Sequence, residues 1–169
     1  MAISPEINPN AILGALGRLK KALIDTSSII YVQKAGYYDA LARTIQLYSI
    51  PEVISESKTH VADVTLIHPS ESPSLSTDQK LVSCALENKL AMISEDKRIL
   101  RAMRRAQAPY YNALMMLNFL LFTKKIDADS YRHYYSALEN IARYSEAVWE
   151  YGRLIYAAVK SKMDFETPI

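Results

Sequence analysis

The chain is expected to form a three-layer, Rossmann-like α/β domain with a central parallel sheet and a C-terminal helical extension. Three observations predict it. Two short apolar runs, Ala22-Leu23-Ile24 and Ala91-Met92-Ile93, each lead into an acid and then a helical pattern, which is how buried parallel strands read. Strand and helix patterns alternate up to about Tyr111, and only helical patterns follow. Four glycines in 169 residues are too few for a barrel or sandwich with many tight turns.

The elements follow in order. Residues 1–10, rich in Pro and Asn, read as an irregular arm. Ile12, Leu13, Leu16 and Leu19 have helical spacing over Ala11 to Lys20, weakened by Gly14 and Gly17. Lys21 to Asp25 is the first strand. Tyr38, Leu41, Ile45 and Tyr48 predict a helix over Tyr37 to Tyr48. Pro51 suits the first position of a short helix carrying Val53, Ile54 and Glu56. Val61 to Ile67 is a strand whose poor alternation suggests that both faces are covered. Pro69 to Pro73 is a loop. Ser76 or Thr77 caps a helix running to about Leu90, with Asp78 in its first turn. Ala91 to Ser94 is a strand, and Glu95 to Gln107 a helix burying Ile99, Leu100, Met103 and Ala106. A short strand near Ala108 to Tyr111 precedes helices from Asn112 to Lys125 and from Asp129 onward. The domain is expected to span 1–126, with its core at about 20–125, and the helical extension 127–169, packed on the same domain.

Half of the residues are apolar and 22% are charged, an ordinary globular composition with enough apolar mass for a core. A net charge of +2 sets up no global basic field for nucleic acid. Cys84 is the one cysteine, so no internal disulfide forms, and its apolar neighbours Leu81, Val82, Ala85 and Leu86 predict a buried thiol. No apolar stretch reaches the ~20 residues of a membrane span. The opening residues lack the basic and apolar regions of a signal peptide. A cytoplasmic location and no membrane partner are therefore expected.

Asp25, Glu56, Asp78 and Asp96 carry most of the functional information. In open parallel sheets ligands bind outside the carboxyl ends of the strands. Asp25 and Asp96 follow two such strands, the helix start at Ser76 turns Asp78 toward the same edge, and Glu56 reaches the same side. Repelling acids gathered at one crevice are explained by a divalent cation. Hard oxygen ligands select Mg²⁺ or Mn²⁺ over zinc. Such ions serve phosphodiester hydrolysis by neutralising the phosphate, activating water and stabilising the leaving oxygen. Thr26, Ser27, Ser28 and Ser94 offer hydroxyls to fix carboxylates or water.

The run Ala22-Leu23-Ile24-Asp25-Thr26-Ser27 resembles the first-strand motif of PIN-domain ribonucleases. Ile50-Pro51-Glu52-Val53-Ile54-Ser55-Glu56 resembles the segment carrying that family's second acid, and Glu52 competes with Glu56 for the role. Ser76-Thr77-Asp78, followed by Val82-Ser83-Cys84-Ala85-Leu86-Glu87, resembles the third-acid helix. Met92-Ile93-Ser94-Glu95-Asp96-Lys97-Arg98-Ile99-Leu100 resembles the strand-end segment with Ser or Thr two places before an Asp. Glu95 stands where relatives often have Asp or Asn. The resemblance covers roughly residues 20–125. It implies a Mg²⁺- or Mn²⁺-dependent ribonuclease acting on single-stranded RNA through a metal-activated water. Asp25, Glu56, Asp78 and Asp96 would be its acids, with Asp25, Asp78 and Asp96 on the metal and Ser27 and Ser94 as supporting hydroxyls. Many relatives are toxins of toxin–antitoxin pairs, so an antitoxin protein and a homodimer are partners the resemblance brings with it.

Plainer readings stand beside these. Asp25 read alone is a strand-end acid bonded to the Ser27 and Ser28 amides, Asp78 a dipole-complementing acid, and Glu56 a solvated one. Lys97, Arg101, Arg104 and Arg105 share one side of their helix, either as a phosphate-tracking stripe or as a solvated face. His60, His68 and His133 have no ligand spacing. Most of the twelve tyrosines lie at or after Tyr110; packing or an interface accounts for them better than base stacking. The competing functions are a catalytically silent PIN-like module that binds RNA or protein, and another α/β enzyme. Aspartyl-phosphate phosphatases would want an Asp where Ser27 stands, and no glycine cluster cradles phosphates.

Overall fold

The computed structural model describes residues 7–69 and 74–166, with side chains through Asp164. Its centre is a five-stranded, all-parallel sheet in the order β3-β2-β1-β4-β5. The strands are β1 (Lys21–Ile24), β2 (Gln46–Ser49), β3 (Val64–Leu66), β4 (Ala91–Ile93) and β5 (Tyr110–Tyr111). The chain builds outward from β1 through β2 to β3, then returns to lay β4 on the other side of β1. The strand order therefore reverses between β1 and β4, and that is where parallel α/β sheets open a crevice.

The helices are α1 (Pro9–Gly17), α2 (Thr26–Ala35), α3 (Tyr38–Thr44), α4 (Pro51–Ser57), α5 (Thr77–Glu87), α6 (Lys97–Arg105), α7 (Ala113–Phe122), α8 (Ala128–Ile141) and α9 (Glu146–Glu166). The class is the expected one: parallel sheet, helical layers, and helices at the C-terminal end. Cys84 is buried as expected.

Several boundaries differ from the expectation. The helix expected over Tyr37 to Tyr48 ends at Thr44, and Gln46–Ser49 form β2 instead. Helical spacing does continue to Tyr48, but Leu47 pairs with both Ala22 of β1 and Val64 of β3. Pairing on two sides outweighs a local period. The strand expected over Val61 to Ile67 shrinks to Val64–Leu66 at the sheet's edge, and Leu66 is exposed. Its weak alternation reflects that edge position, not cover on both faces. The irregular arm is shorter than expected, since Asn8 caps α1 by accepting from the Asn10 and Ala11 amides and Pro9 takes the first turn. Residues 1–6 of that arm, and residues 70–73 of the Pro69 to Pro73 loop, lie outside the described residues.

α2 ends at Gly36, whose φ of 100° is the left-handed conformation that favours glycine. The Tyr37 amide reaches back to the Val32 carbonyl at 3.1 Å, closing the turn. α7 is buried from Ala113 through Leu121, enclosed by α8 and α9 on the C-terminal side and by α1, α2 and α3. An apolar helix with a buried Asn needs partners for that amide. Asn118 donates to the Gly152 carbonyl (3.1 Å) and accepts from the Tyr131 hydroxyl (2.7 Å), tying α7 to both α9 and α8. The C-terminal rings pack on one another as the plainer reading expects: Tyr131 stacks on Tyr135 and Tyr156, and Trp149 meets Tyr135 and Tyr144 edge-on.

At Gly152, α9 passes close against Leu114 of α7. A Cβ there would stand 2.9 Å from Leu114 Cγ and closer still to Leu114 Cδ2. Gly152→Ala is expected to destabilise the chain by about 1–3 kcal/mol, the usual cost of overpacking a core, read as a lower midpoint in urea unfolding. An unchanged midpoint would mean that α9 is not held this close to α7.

Candidate functional site

Asp25 and Asp96 are positioned by the same local device. Each follows the last residues of a strand in extended conformation and caps the next helix. Asp25 accepts from the Thr26 amide (2.7 Å) at the start of α2, and Asp96 from the Arg98 amide (2.7 Å) at the start of α6. Short acids suit these positions because they satisfy an otherwise unpaired helix N–H and sit at the positive end of the helix dipole. The amides of Ser27 and Ser28 do not hold Asp25, contrary to the plainer reading.

β1 and β4 are neighbours, so the two caps face one crevice. Ser94 joins them: its hydroxyl donates to Asp25 Oδ2 (3.0 Å) and accepts from the Asp96 amide (3.1 Å). Ser94 is fully buried, and Asp25 is 8% exposed. The Asp25 carboxyl is held above its ordinary range. Burial is the main cause, the Thr26 amide and Ser94 hydroxyl pull the other way, and the charges of Asp78 and Asp96 push it further up. These three carboxylates thus share one field although they are far apart in the chain.

Ser76 caps α5 with a reciprocal capping box to Gln79, which sets Asp78 in the first turn. Arg98 connects Asp78 to the other acids. Its Nη2 stands 3.3 Å from Asp78 Oδ2 and 3.4 Å from Asp96 Oδ2. Burial works against the Asp96 charge, but the Arg98 amide and guanidinium outweigh it and hold that carboxyl below its ordinary range. Beside Asp78 and Arg98, a groove of about 510 Å³ runs between α5 and α6 over Val82, Leu86 and Ile99.

The two candidate second acids part company. Glu56 is exposed and accepts from Thr26 Oγ1 at 3.2 Å, next to Asp25. Glu52 instead pairs with Lys80 Nζ at 3.1 Å, so its charge is already matched. Ser27 bonds none of the acids, and its buried hydroxyl has no partner among the described residues. Lys97, Arg101, Arg104 and Arg105 are exposed on α6.

Two features of the site have roles that local sequence does not display. Arg98 was visible only as part of a motif, although a cation two places after a capping acid is a signal for such a bridge. Glu95 is the other. Its side chain is half-buried, and its carboxylate accepts from Ala113 N (2.7 Å), Tyr144 OH (2.7 Å) and Ser28 Oγ (3.0 Å). Burial raises its pKa, the three donors lower it, and the Asp25 charge raises it again. Partners at positions 28, 113 and 144 leave no local signal.

The donor chemistry fits Mg²⁺ or Mn²⁺, since the converging groups are carboxylate oxygens and no soft ligand is among them. The orphaned Ser27 hydroxyl beside Asp25 adds an unspent oxygen. The side chains are not gathered into a ligand shell: among the described residues, no three His, Cys, Asp or Glu side chains are placed to hold one ion. Arg98 supplies the positive charge between Asp78 and Asp96. No helix among the described residues is long and apolar enough to cross a membrane.

The fold and its crevice define an open, parallel α/β protein with acids at the strand-order reversal. No family model matches the chain, and no curated protein matches it.

Proposed function

We propose that the chain is a Mg²⁺- or Mn²⁺-dependent ribonuclease of the PIN-domain type, hydrolysing phosphodiester bonds in single-stranded RNA. One observation carries the reading: at the carboxyl ends of adjacent strands the Ser94 hydroxyl links the Asp25 carboxylate to the Asp96 backbone amide, and the charges of Asp78 and Asp96 both act on Asp25. A buried acid pushed up further by neighbouring carboxylates, as Asp25 is by Asp78 and Asp96, is a candidate for function, because folding alone does not favour it.

Asp25, Asp78 and Asp96 would hold the ion. Bound there, it would neutralise the phosphate and lower the pKa of the attacking water. Ser94 fixes the Asp25 carboxylate by donating to Oδ2, which leaves that carboxylate one preferred direction. Thr26 holds Glu56 at the mouth, where a solvated carboxylate can take a proton from water. The exposed cations of α6 would steer the phosphate chain. The test is cleavage of a labelled single-stranded RNA as Mn²⁺ or Mg²⁺ is titrated in. Cleavage no greater than that of an Asp25→Asn control rejects the reading.

The Arg98 bridge favours a second reading, a silent module of the same fold that binds RNA or protein. RNA affinity indifferent to metal and to Asp96→Asn, with no cleavage, would select it.

A further inference from the structure

The acids assigned to the metal already have a cation among them. Arg98 stands in the first turn of α6, and its Nη2 touches both Asp78 Oδ2 (3.3 Å) and Asp96 Oδ2 (3.4 Å). Asp78 belongs to α5 and Asp96 caps α6, so one guanidinium joins the two walls of the crevice. The Arg98 side chain is 78% exposed. It is therefore held by these two charges and not by burial. The other basic residues of the helix, Lys97, Arg101, Arg104 and Arg105, have no ion pair to either acid among the described residues.

We propose that Arg98 is a built-in counter-charge, which a divalent ion displaces from Asp78 and Asp96 when it binds. This rests on the metal-site reading above and adds its regulation. A guanidinium and a hard divalent ion compete for the same carboxylate lone pairs, so both cannot have full occupancy. Exposed ion pairs are weak, so the bridge is one that an ion can break. The guanidinium never loses its charge, and its planar fork matches phosphate oxygens. Once released, it stands at the rim of the crevice, where an RNA backbone would run. The bridge thus keeps the acids compensated until metal arrives and then becomes a substrate contact.

The test is calorimetric titration of MnCl₂ into the full chain and into Arg98→Gln, Lys97→Gln and Asp25→Asn variants, each checked for folding by circular dichroism. Arg98→Gln is expected to bind Mn²⁺ about 3- to 10-fold more tightly than the unaltered chain, the scale of one or two exposed ion pairs. Lys97→Gln removes the same formal charge from the adjoining residue and is expected to move the affinity by no more than about twofold. Equal affinities in the unaltered chain and Arg98→Gln, with binding lost in Asp25→Asn, overturn the inference while leaving the metal site standing. Equal gains in Arg98→Gln and Lys97→Gln also overturn it, because the effect is then one of field and not of displacement. Absence of Mn²⁺ binding, or binding that Asp25→Asn leaves intact, overturns the metal-site reading and this inference with it.

Discussion

Glu95→Ala is expected to destabilise the chain by about 2–4 kcal/mol, because it strips the acceptor from three donors at once. The Ala113 amide opens α7, the Tyr144 hydroxyl belongs to the turn between α8 and α9, and Ser28 lies in α2; all three converge on this one carboxylate. An unmet buried donor costs about 1–3 kcal/mol. Losing the burial penalty of the charge offsets part of that sum, which keeps the total below a simple addition. The contrast is Glu95→Gln. Its amide oxygen can still accept from Ala113 and Ser28, and the Tyr144 hydroxyl can turn to accept from the new NH₂. That variant is expected to stay within about 1 kcal/mol of the unaltered chain at neutral pH.

The same pair carries a pH signature. The Glu95 carboxyl lies above its ordinary 4.5 in the folded chain, so the folded state holds its proton longer than the unfolded state does. Stability from this group is therefore greatest at acid pH and falls as pH rises from the unfolded value through the folded one. Glu95→Gln should flatten that fall. Urea titrations at several pH values from acid to neutral read both effects, and parallel curves for the two proteins would show that Glu95 is not buried as described.

Under the proposed ribonuclease reading, Asp25→Asn is expected to cut RNA cleavage by about 100-fold or more. A bound ion's electrostatic contribution amounts to several kcal/mol, and each ~1.4 kcal/mol is a factor of ten in rate. The same change should not weaken the fold at neutral pH. Asp25 is a buried acid with a raised pKa, pushed up by burial and by the Asp78 and Asp96 charges, so neutralising it relieves repulsion. The Asn oxygen can still accept from Thr26, and its NH₂ can donate to Ser94. Loss of activity with retained or improved thermal stability is the pattern of a group kept for function at the expense of stability. Loss of both together would mark Asp25 as a structural cap.

How far the chain announces its site can be judged residue by residue. Asp25 and Asp96 were legible because each sits between a short apolar run and a helix start, and that local pattern dictates both the strand and the cap. Asp78 was legible through the Ser76 capping signal. Glu56 and Glu52 could not be separated in sequence, because both lie on α4; the Lys80 pair with Glu52 and the Thr26 contact with Glu56 are made by residues from other elements. By sequence pattern alone β2 looks like the end of a helix for a related reason. Four residues are too few for a period to decide, and their partners in β1 and β3 lie outside any local window.

What the amino-acid order determined by itself was the class of fold and the strand-end acids, since both follow from short-range patterns of apolar residues, caps and breaks. Only the tertiary structure decided which acids share a field, that Arg98 stands between two of them, and that Glu95 is a hydrogen-bonded anchor for the C-terminal helices. The physical reason is range. Helix caps and strand runs are settled within a few residues, whereas carboxylate repulsion, ion pairs and buried hydrogen bonds depend on which distant elements the sheet order brings side by side.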